Sequence, residues 1–147
     1  ENVPVPVLPA AAKEFSKAGL EAFARYWYST LSYAYETGDT KPMMAITDPS
    51  CETCANVKKS AGAWYPNFGW ISGGTVKVKS STSTLIKTTA GDYQAIVWVQ
   101  QAALTYFNKD ATVYKAFPAT VARPDIVVAR YANGQWQAIT AEHLTKE

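Results

Sequence analysis

The sequence predicts a single α+β domain in which a long helix and two short helices pack on a strongly curved antiparallel sheet. Apolar residues recur at helical spacing over residues 10–35 and alternate at strand spacing over residues 92–107. The pair Asn133-Gly134 lies between two apolar, β-branched runs, which is typical of a two-residue hairpin turn. A chain of 147 residues is large enough to bury the core of one such domain.

The chain is predicted to begin as an extended segment and to continue as one domain. Residues 1–10 are rich in proline, which fixes φ and removes backbone donors, so we expect the end of a linker there. Residues 11–147 are expected to form the domain. The abrupt start, without a recognisable signal peptide, indicates that a longer N-terminal segment precedes residue 1 in the full protein.

Three helices are predicted in the first half of the chain. The long helix spans residues 10–35 and ends before Gly38, because glycine is favoured where helices stop. A short helix follows with Pro42 in its first turn. The third opens at residues 48–50 and continues to about Trp64.

The second half of the chain is predicted to form antiparallel strands. The strongest strand covers residues 92–107, and because a strand this long does not stay flat, we expect a bend at Gln100-Gln101. The Arg-Pro-Asp segment at 123–125 is expected to break the strand pattern. Further strands are predicted at residues 74–79, 80–87, 119–121, 126–131 and 135–139.

Charge and composition exclude several classes of protein. A net charge of +2 with scattered lysines does not indicate a nucleic-acid partner. The longest apolar stretches have the length of a strand and fall far short of a membrane span. An apolar fraction of 48% and a charged fraction of 18% exclude a disordered polyelectrolyte and indicate a packed domain.

Both cysteines lie in one motif, Cys51-Glu52-Thr53-Cys54. A metal site would need more ligands, and His143 is the only histidine, so we expect no metal and no other cofactor. A catalytic redox pair typically follows a buried strand, whereas a short helical segment precedes this motif. The pattern favours a local structural disulfide, which indicates an oxidising compartment, with a redox pair as the alternative.

Two titratable residues in the strand region are candidates for a functional site. Asp125 stands in an apolar region near Arg123, which suits a cavity carboxylate held by an arginine; the alternative is an edge or bulge that points to solvent. His143 lies in a polar segment, so a surface or edge position is expected for it. No arrangement of serine, cysteine and histidine predicts a nucleophile, and no catalytic residue is assigned.

Large aromatic side chains are expected to converge where the long helix packs on the sheet. They form either a closed core or the wall of an apolar pocket with polar groups at its mouth. With Asp125, the candidate pocket residues are Tyr26, Trp27, Tyr33, Trp64, Trp70 and Trp98.

Several motifs carry a resemblance to a known family. They are Val-Pro-Val-Leu-Pro at 5–9, Tyr-Ala-Tyr-Glu-Thr-Gly-Asp at 33–39, Pro-Ser-Cys-Glu-Thr-Cys at 49–54 and Gly73-Gly74. These resemble lipoproteins that actinobacteria export and that share a domain of unknown function. The element order is similar to the cone of the nuclear transport factor 2-like (SnoaL-like, cystatin-like) superfamily. The resemblance implies a lipid-modified cysteine upstream and a position on the outer face of the cell membrane.

Three function classes are compatible with these features of the sequence. The first is a non-enzymatic module that binds an unknown envelope protein, with homodimer formation also open. The second is a carrier or sensor of a small apolar or aromatic ligand. The third is an enzyme, because dehydratases and isomerases of the superfamily place an acid, a histidine and a tyrosine in the cone. That set is not visible in this sequence, since His143 stands alone.

Overall fold

The computed structural model describes residues 3–144, which contain a helical N-terminal half and a β-sheet C-terminal half. The helices are α1 (Lys17–Thr37), α2 (Lys41–Ala45), α3 (Glu52–Val57) and α4 (Ala63–Asn67). The strands are β1 (Gly69–Gly73), β2 (Val76–Thr82), β3 (Tyr93–Gln101), β4 (Leu104–Asn108), β5 (Val113–Phe117), β6 (Arg123–Ala132) and β7 (Gln135–His143). This confirms the predicted α+β class, with a long helix and short helices on antiparallel sheets.

Helix α1 begins later than the sequence pattern predicts. A 3₁₀ turn occupies Ala10–Lys13, and the chain is extended at Glu14 before Ser16 caps α1 by accepting a hydrogen bond from the Gly19 N–H at 2.9 Å. The prediction of one helix from residue 10 is therefore wrong by about two turns. Gly38 ends α1 in the left-handed conformation (φ 79°), as predicted.

The short helices follow the predicted order. Helix α2 carries Pro42 in its first turn, and α3 begins directly after Cys51. A π-helical segment, Lys58–Gly62, joins α3 to α4. The third predicted helix is therefore unbroken, and it ends at Asn67, beyond the predicted end at Trp64. The Cys51–Cys54 disulfide is present, with a Cα–Cα distance of 5.3 Å and both residues buried, which confirms the structural pairing.

The strands form two antiparallel sheets in the order β2-β3-β6-β7 and β1-β4-β5. The predicted strand over 92–107 changes sheet at Ala102-Ala103, two residues after the expected bend. At this corner the Gly74 N–H donates to the Ala103 carbonyl at 3.1 Å. Gly73 and Gly74 both adopt positive φ, 81° and 87°. This conformation, which glycine adopts readily, lets the chain turn between β1 and β2 while it packs beside the connection between β3 and β4.

Other strand predictions are corrected or confirmed. Residues 119–121 form a loop, because the chain has already completed β5 and leaves the sheet edge there. Strand β6 is continuous through Arg-Pro-Asp, since Pro124 lies near the strand start, where a missing donor is tolerated. The Asn133-Gly134 turn is confirmed: both residues have positive φ, and it joins β6 to β7.

The main core lies between α1 and the four-stranded sheet. Its buried side chains include those on one face of α1, the inward face of three strands, helix α2 and the disulfide. They include Leu20, Phe23, Trp27, Met43, Cys51, Cys54, Val97, Val127 and Trp136. Among residues 3–144 no helix combines the length and hydropathy that a membrane crossing requires.

Gly19 marks the closest approach between α1 and the segment before it. A Cβ at this position would lie 2.0 Å from the Glu14 carbonyl oxygen.

We predict that Gly19→Ala lowers the free energy of unfolding by about 2 kcal/mol, because the clash outweighs the better helix propensity of alanine. Urea denaturation measures the change. Lys17→Ala, an exposed neighbour on the same turn, is the control and is expected to stay within about 0.5 kcal/mol of the parent. Equal stability of both variants would contradict the close approach.

Candidate functional site

A cavity of about 320 Å³ lies between α1, α3 and the four-stranded sheet. Apolar side chains form most of its wall, and polar groups from β6 and β7 gather on one side. The lining residues are Trp27, Leu31, Tyr35, Thr53, Val57, Val76, Val99, Gln101, Thr120, Arg123, Asp125, Ala141, Glu142 and His143.

Asp125 is the central polar residue of this cavity. Its position opposite Val97 in the sheet turns its side chain inward, toward α1, and the residue is only 4% exposed. The Tyr28 hydroxyl donates to Oδ2 at 2.5 Å. The His143 Nδ1 lies 2.5 Å from Oδ1. Each carboxylate oxygen of Asp125 therefore has one partner, one from α1 and one from β7.

The hydrogen bonds around His143 define its tautomer. The Arg123 Nη2 lies 2.9 Å from the His143 Nε2, and a guanidinium can only donate. Nε2 must therefore accept, which places the ring proton on Nδ1, from which it is donated to Asp125. In this arrangement the imidazole is neutral. The His143 side chain is 48% exposed, so it lies between solvent and the buried carboxylate.

Tyr28 supports Asp125 from behind and does not line the cavity. The residue is buried, and its ring packs edge-on against Trp27 at a centroid distance of 5.0 Å. Burial, followed by the negative charge of Asp125, raises the pKa of the Tyr28 hydroxyl well above its ordinary value of 10.0. Tyr28 therefore remains a donor to Asp125 throughout the physiological pH range.

The arrangement suits hydrogen bonding to a polar group of a ligand. Each Asp125 oxygen retains a lone pair after accepting one hydrogen bond, so the carboxylate can accept another from a ligand in the cavity. Arg123 contributes donors, and Glu142 adds a second carboxylate to the lining. Over residues 3–144, no group of three or more histidine, cysteine or acidic residues could hold a metal ion.

The structure brings together only two of the aromatic and acidic residues that the sequence singles out. Trp27 and Asp125 line the cavity. Tyr26 lies near the N-terminal segment, with its hydroxyl 3.4 Å from the Pro6 carbonyl, and Tyr33 is buried elsewhere along α1.

The other three predicted pocket residues lie away from the cavity for identifiable reasons. Trp64 belongs to α4 and contacts the ring of Tyr114 at 4.7 Å, in the region of the three-stranded sheet. Trp70 stacks on Phe107 at 5.1 Å within that same sheet. Trp98 is 44% exposed, because side chains alternate along β3 and its neighbours Val97 and Val99 take the inward face.

The two partners of Asp125 are not apparent from the sequence pattern. The predicted surface or edge position of His143 agrees with its place as the last residue of the edge strand β7, where its side chain is 48% exposed. The pattern does not indicate that His143 pairs with Asp125 in the sheet register. Counting outward from the Asn133-Gly134 turn would place Glu142 opposite Asp125. A β-bulge between Val128 and Ala129 shifts the register by one residue and places His143 there. No sequence signal indicates Tyr28.

The raised pKa of Tyr28 predicts a pH dependence of stability. The unfolded chain ionises this tyrosine above pH 10.0 while the folded chain does not, so its contribution to stability is complete below that pH and is lost as pH rises further. Tyr28→Phe is expected to be less stable at neutral pH by about 1–3 kcal/mol, because Asp125 loses a donor, and to lose less stability at alkaline pH. Urea denaturation across the pH range measures both. Tyr114→Phe, at an exposed tyrosine, is the control; a parallel alkaline decline in the parent and Tyr28→Phe would contradict the assignment.

Comparison with solved structures finds similar proteins at low sequence identity. A protein of Novosphingobium aromaticivorans named as a candidate aromatic ring hydroxylase is 12% identical, with a TM-score of 0.49, over 86% of this chain and 89% of its own. A Xanthomonas campestris protein, named as a candidate association domain of calcium/calmodulin-dependent protein kinase II, is 13% identical, with a TM-score of 0.46, over 86% of each chain. A Nostoc punctiforme protein of unknown function with a cystatin-like fold is 14% identical, with a TM-score of 0.44, over 84% and 87%.

No curated protein matches the sequence. One family pattern does, and it covers residues 1–142, nearly the whole chain. The chain belongs to DUF6318, a family of unknown function.

Proposed function

We propose that this domain binds a small, mainly apolar organic molecule carrying a hydroxyl group, and that it acts as a carrier or sensor. One observation carries the proposal: a cavity beside α1 is apolar over most of its wall and has a buried, hydrogen-bonded carboxylate, Asp125, on one side. Its volume of about 320 Å³ falls within the range of small-molecule sites.

The polar side of the cavity is arranged before any ligand arrives. Tyr28 and His143 hold the two oxygens of Asp125 from opposite elements, so the carboxylate does not have to move in order to accept a hydrogen bond. A group fixed in its binding geometry loses little conformational entropy when the ligand binds. The apolar wall supplies affinity, and the fixed carboxylate selects for a hydroxyl group.

We propose in addition that the domain lies outside the cytoplasm, as part of an actinobacterial lipoprotein with a lipid anchor upstream. The buried Cys51–Cys54 disulfide supports an oxidising compartment. The anchor rests on the motif resemblance alone. Binding of an envelope protein remains a compatible role, and the exposed aromatic side chains of Phe68 and Tyr114 beside α4 favour that surface for it.

Acid–base catalysis is a second candidate function, favoured by the Tyr28–Asp125–His143 cluster. A tyrosine, an acid and a histidine within hydrogen-bond reach could transfer a proton to or from a bound ketone. We prefer ligand binding to catalysis because the unprotonated imidazole nitrogen of His143, Nε2, already accepts a hydrogen bond from Arg123 and so is not free to act as a base.

The binding proposal predicts that filling the cavity abolishes ligand uptake. Leu31 lines the cavity from α1, and Leu31→Trp is expected to weaken binding of cyclohexanol and 4-ethylphenol by at least about tenfold, because the larger ring occupies their space. Isothermal titration calorimetry measures the change. Ser29→Trp, at an exposed position of the same helix, should bind as the parent does. Equal binding by Leu31→Trp, or no binding by the parent, would refute the proposal.

The catalytic candidate predicts proton exchange on a bound ketone. If the cluster acts as a base, the parent accelerates deuterium incorporation beside the carbonyl of cyclohexanone, as followed by NMR. Asp125→Asn is expected to lower that rate by about 100-fold or more, because it removes the carboxylate and keeps its shape. A parent rate equal to that of buffer would exclude this function and leave the binding proposal intact.

A further inference from the structure

A second cavity of about 600 Å³ lies directly beside the first. The two share four lining residues, Tyr35, Gln101, Thr120 and Arg123, which form the belt between them. The rest of the second cavity is lined by Leu104, Tyr106, Phe117, Pro118, Ala119 and Val121. The first cavity is therefore lined in part by polar groups around Asp125, and the adjacent second cavity is lined mainly by apolar groups.

The amide and hydroxyl groups of the belt are already bonded within the protein. The Gln101 side chain donates to the Gly74 carbonyl at 3.0 Å. The Thr120 hydroxyl accepts from the Gln101 N–H at 3.0 Å, and the Thr120 carbonyl accepts from the Gln100 side chain at 3.1 Å. Because of these bonds, the Gln101 and Thr120 side chains each keep a hydrogen-bond partner within the protein when a hydrocarbon chain crosses the belt.

We propose that the two cavities form one elongated site for a neutral amphiphile with a hydroxyl head group and an unbranched hydrocarbon chain. This rests on the proposed function and extends it. The head group hydrogen-bonds to Asp125 in the first cavity, and the chain crosses the belt into the second.

The charges around the first cavity select a neutral head group. Asp125 and Glu142 contribute two negative charges and Arg123 contributes one positive charge, while His143 is neutral in its observed hydrogen-bonding arrangement. A carboxylate head would meet a surplus of negative charge in a partly dehydrated space, which costs free energy. A hydroxyl can donate to Asp125 without that cost.

The loop over 118–122 supplies a matched pair of test positions. Ala119 and Ala122 are both exposed and lie on either side of Thr120, which is bonded to Gln101. Ala119 lines the second cavity, whereas Ala122 lines neither cavity. A tryptophan at position 119 therefore narrows the second cavity from its lining, and a tryptophan at position 122 controls for the substitution itself.

Calorimetric titration of the parent with 1-hexanol, 1-octanol and 1-decanol tests the proposal. Each two added methylenes are expected to tighten binding by about tenfold, because they are buried in the second cavity. Ala119→Trp should bind 1-hexanol with the affinity of the parent but should not bind 1-decanol more tightly than 1-hexanol. Ala122→Trp should show the same increase in affinity with chain length as the parent. Octanoate is expected to bind at least about tenfold more weakly than 1-octanol.

The outcomes separate this inference from the proposed function. If the parent binds 1-hexanol and 1-decanol equally, or if Ala119→Trp keeps the chain-length gain, the cavities are separate sites and the elongated site is refuted. If octanoate binds as tightly as 1-octanol, the neutral head group is refuted. If the parent binds the cyclic probes but no straight-chain alcohol, the elongated site alone is refuted. If the parent binds none of the cyclic probes, the proposed function itself fails.

Discussion

The structure depends on how a single buried carboxylate is held. Asp125 lies almost completely out of water, and an unpaired charge there would cost several kcal/mol. Its two partners come from parts of the chain far apart in sequence, α1 and the end of β7. The hydrogen bonds therefore join the long helix to the middle and the edge of the four-stranded sheet. Within residues 3–144 no buried side-chain nitrogen or oxygen lacks a hydrogen-bond partner.

The second cavity lies where the two sheets meet. One flat strand over residues 92–107 would keep β4 in the same sheet as β3. The corner at Ala102-Ala103, matched by the positive-φ pair Gly73-Gly74, instead directs β4 and β5 away from β3. The second cavity lies at this corner and is lined from β4 and β5, and Gln101, the last residue of β3, lines both cavities.

The sequence predicts those features of the fold that depend only on neighbouring residues, such as helix ends, tight turns and the disulfide. Gly38 ends α1, the Asn133-Gly134 turn joins β6 to β7, and the cysteine pair closes on itself, each for reasons contained within a few residues. The break before α1 has one local signal, the capping residue Ser16, but it also depends on how closely Glu14 approaches Gly19. The site has none for a similar reason: the meeting of Tyr28 and His143 at Asp125 is a tertiary arrangement that no spacing in the sequence encodes.

The β-bulge between Val128 and Ala129 has a consequence for how chain length can vary among relatives. Because of the bulge, His143 lies opposite Asp125; if the same hairpin paired without a bulge, Glu142 would lie there and two carboxylates would face each other. Insertions at the tip of the hairpin can loop out into solvent without disturbing the ladder. Related sequences that keep this site should therefore vary in length at the β6–β7 turn. They should keep the register between β6 and β7 that places the histidine opposite the aspartate.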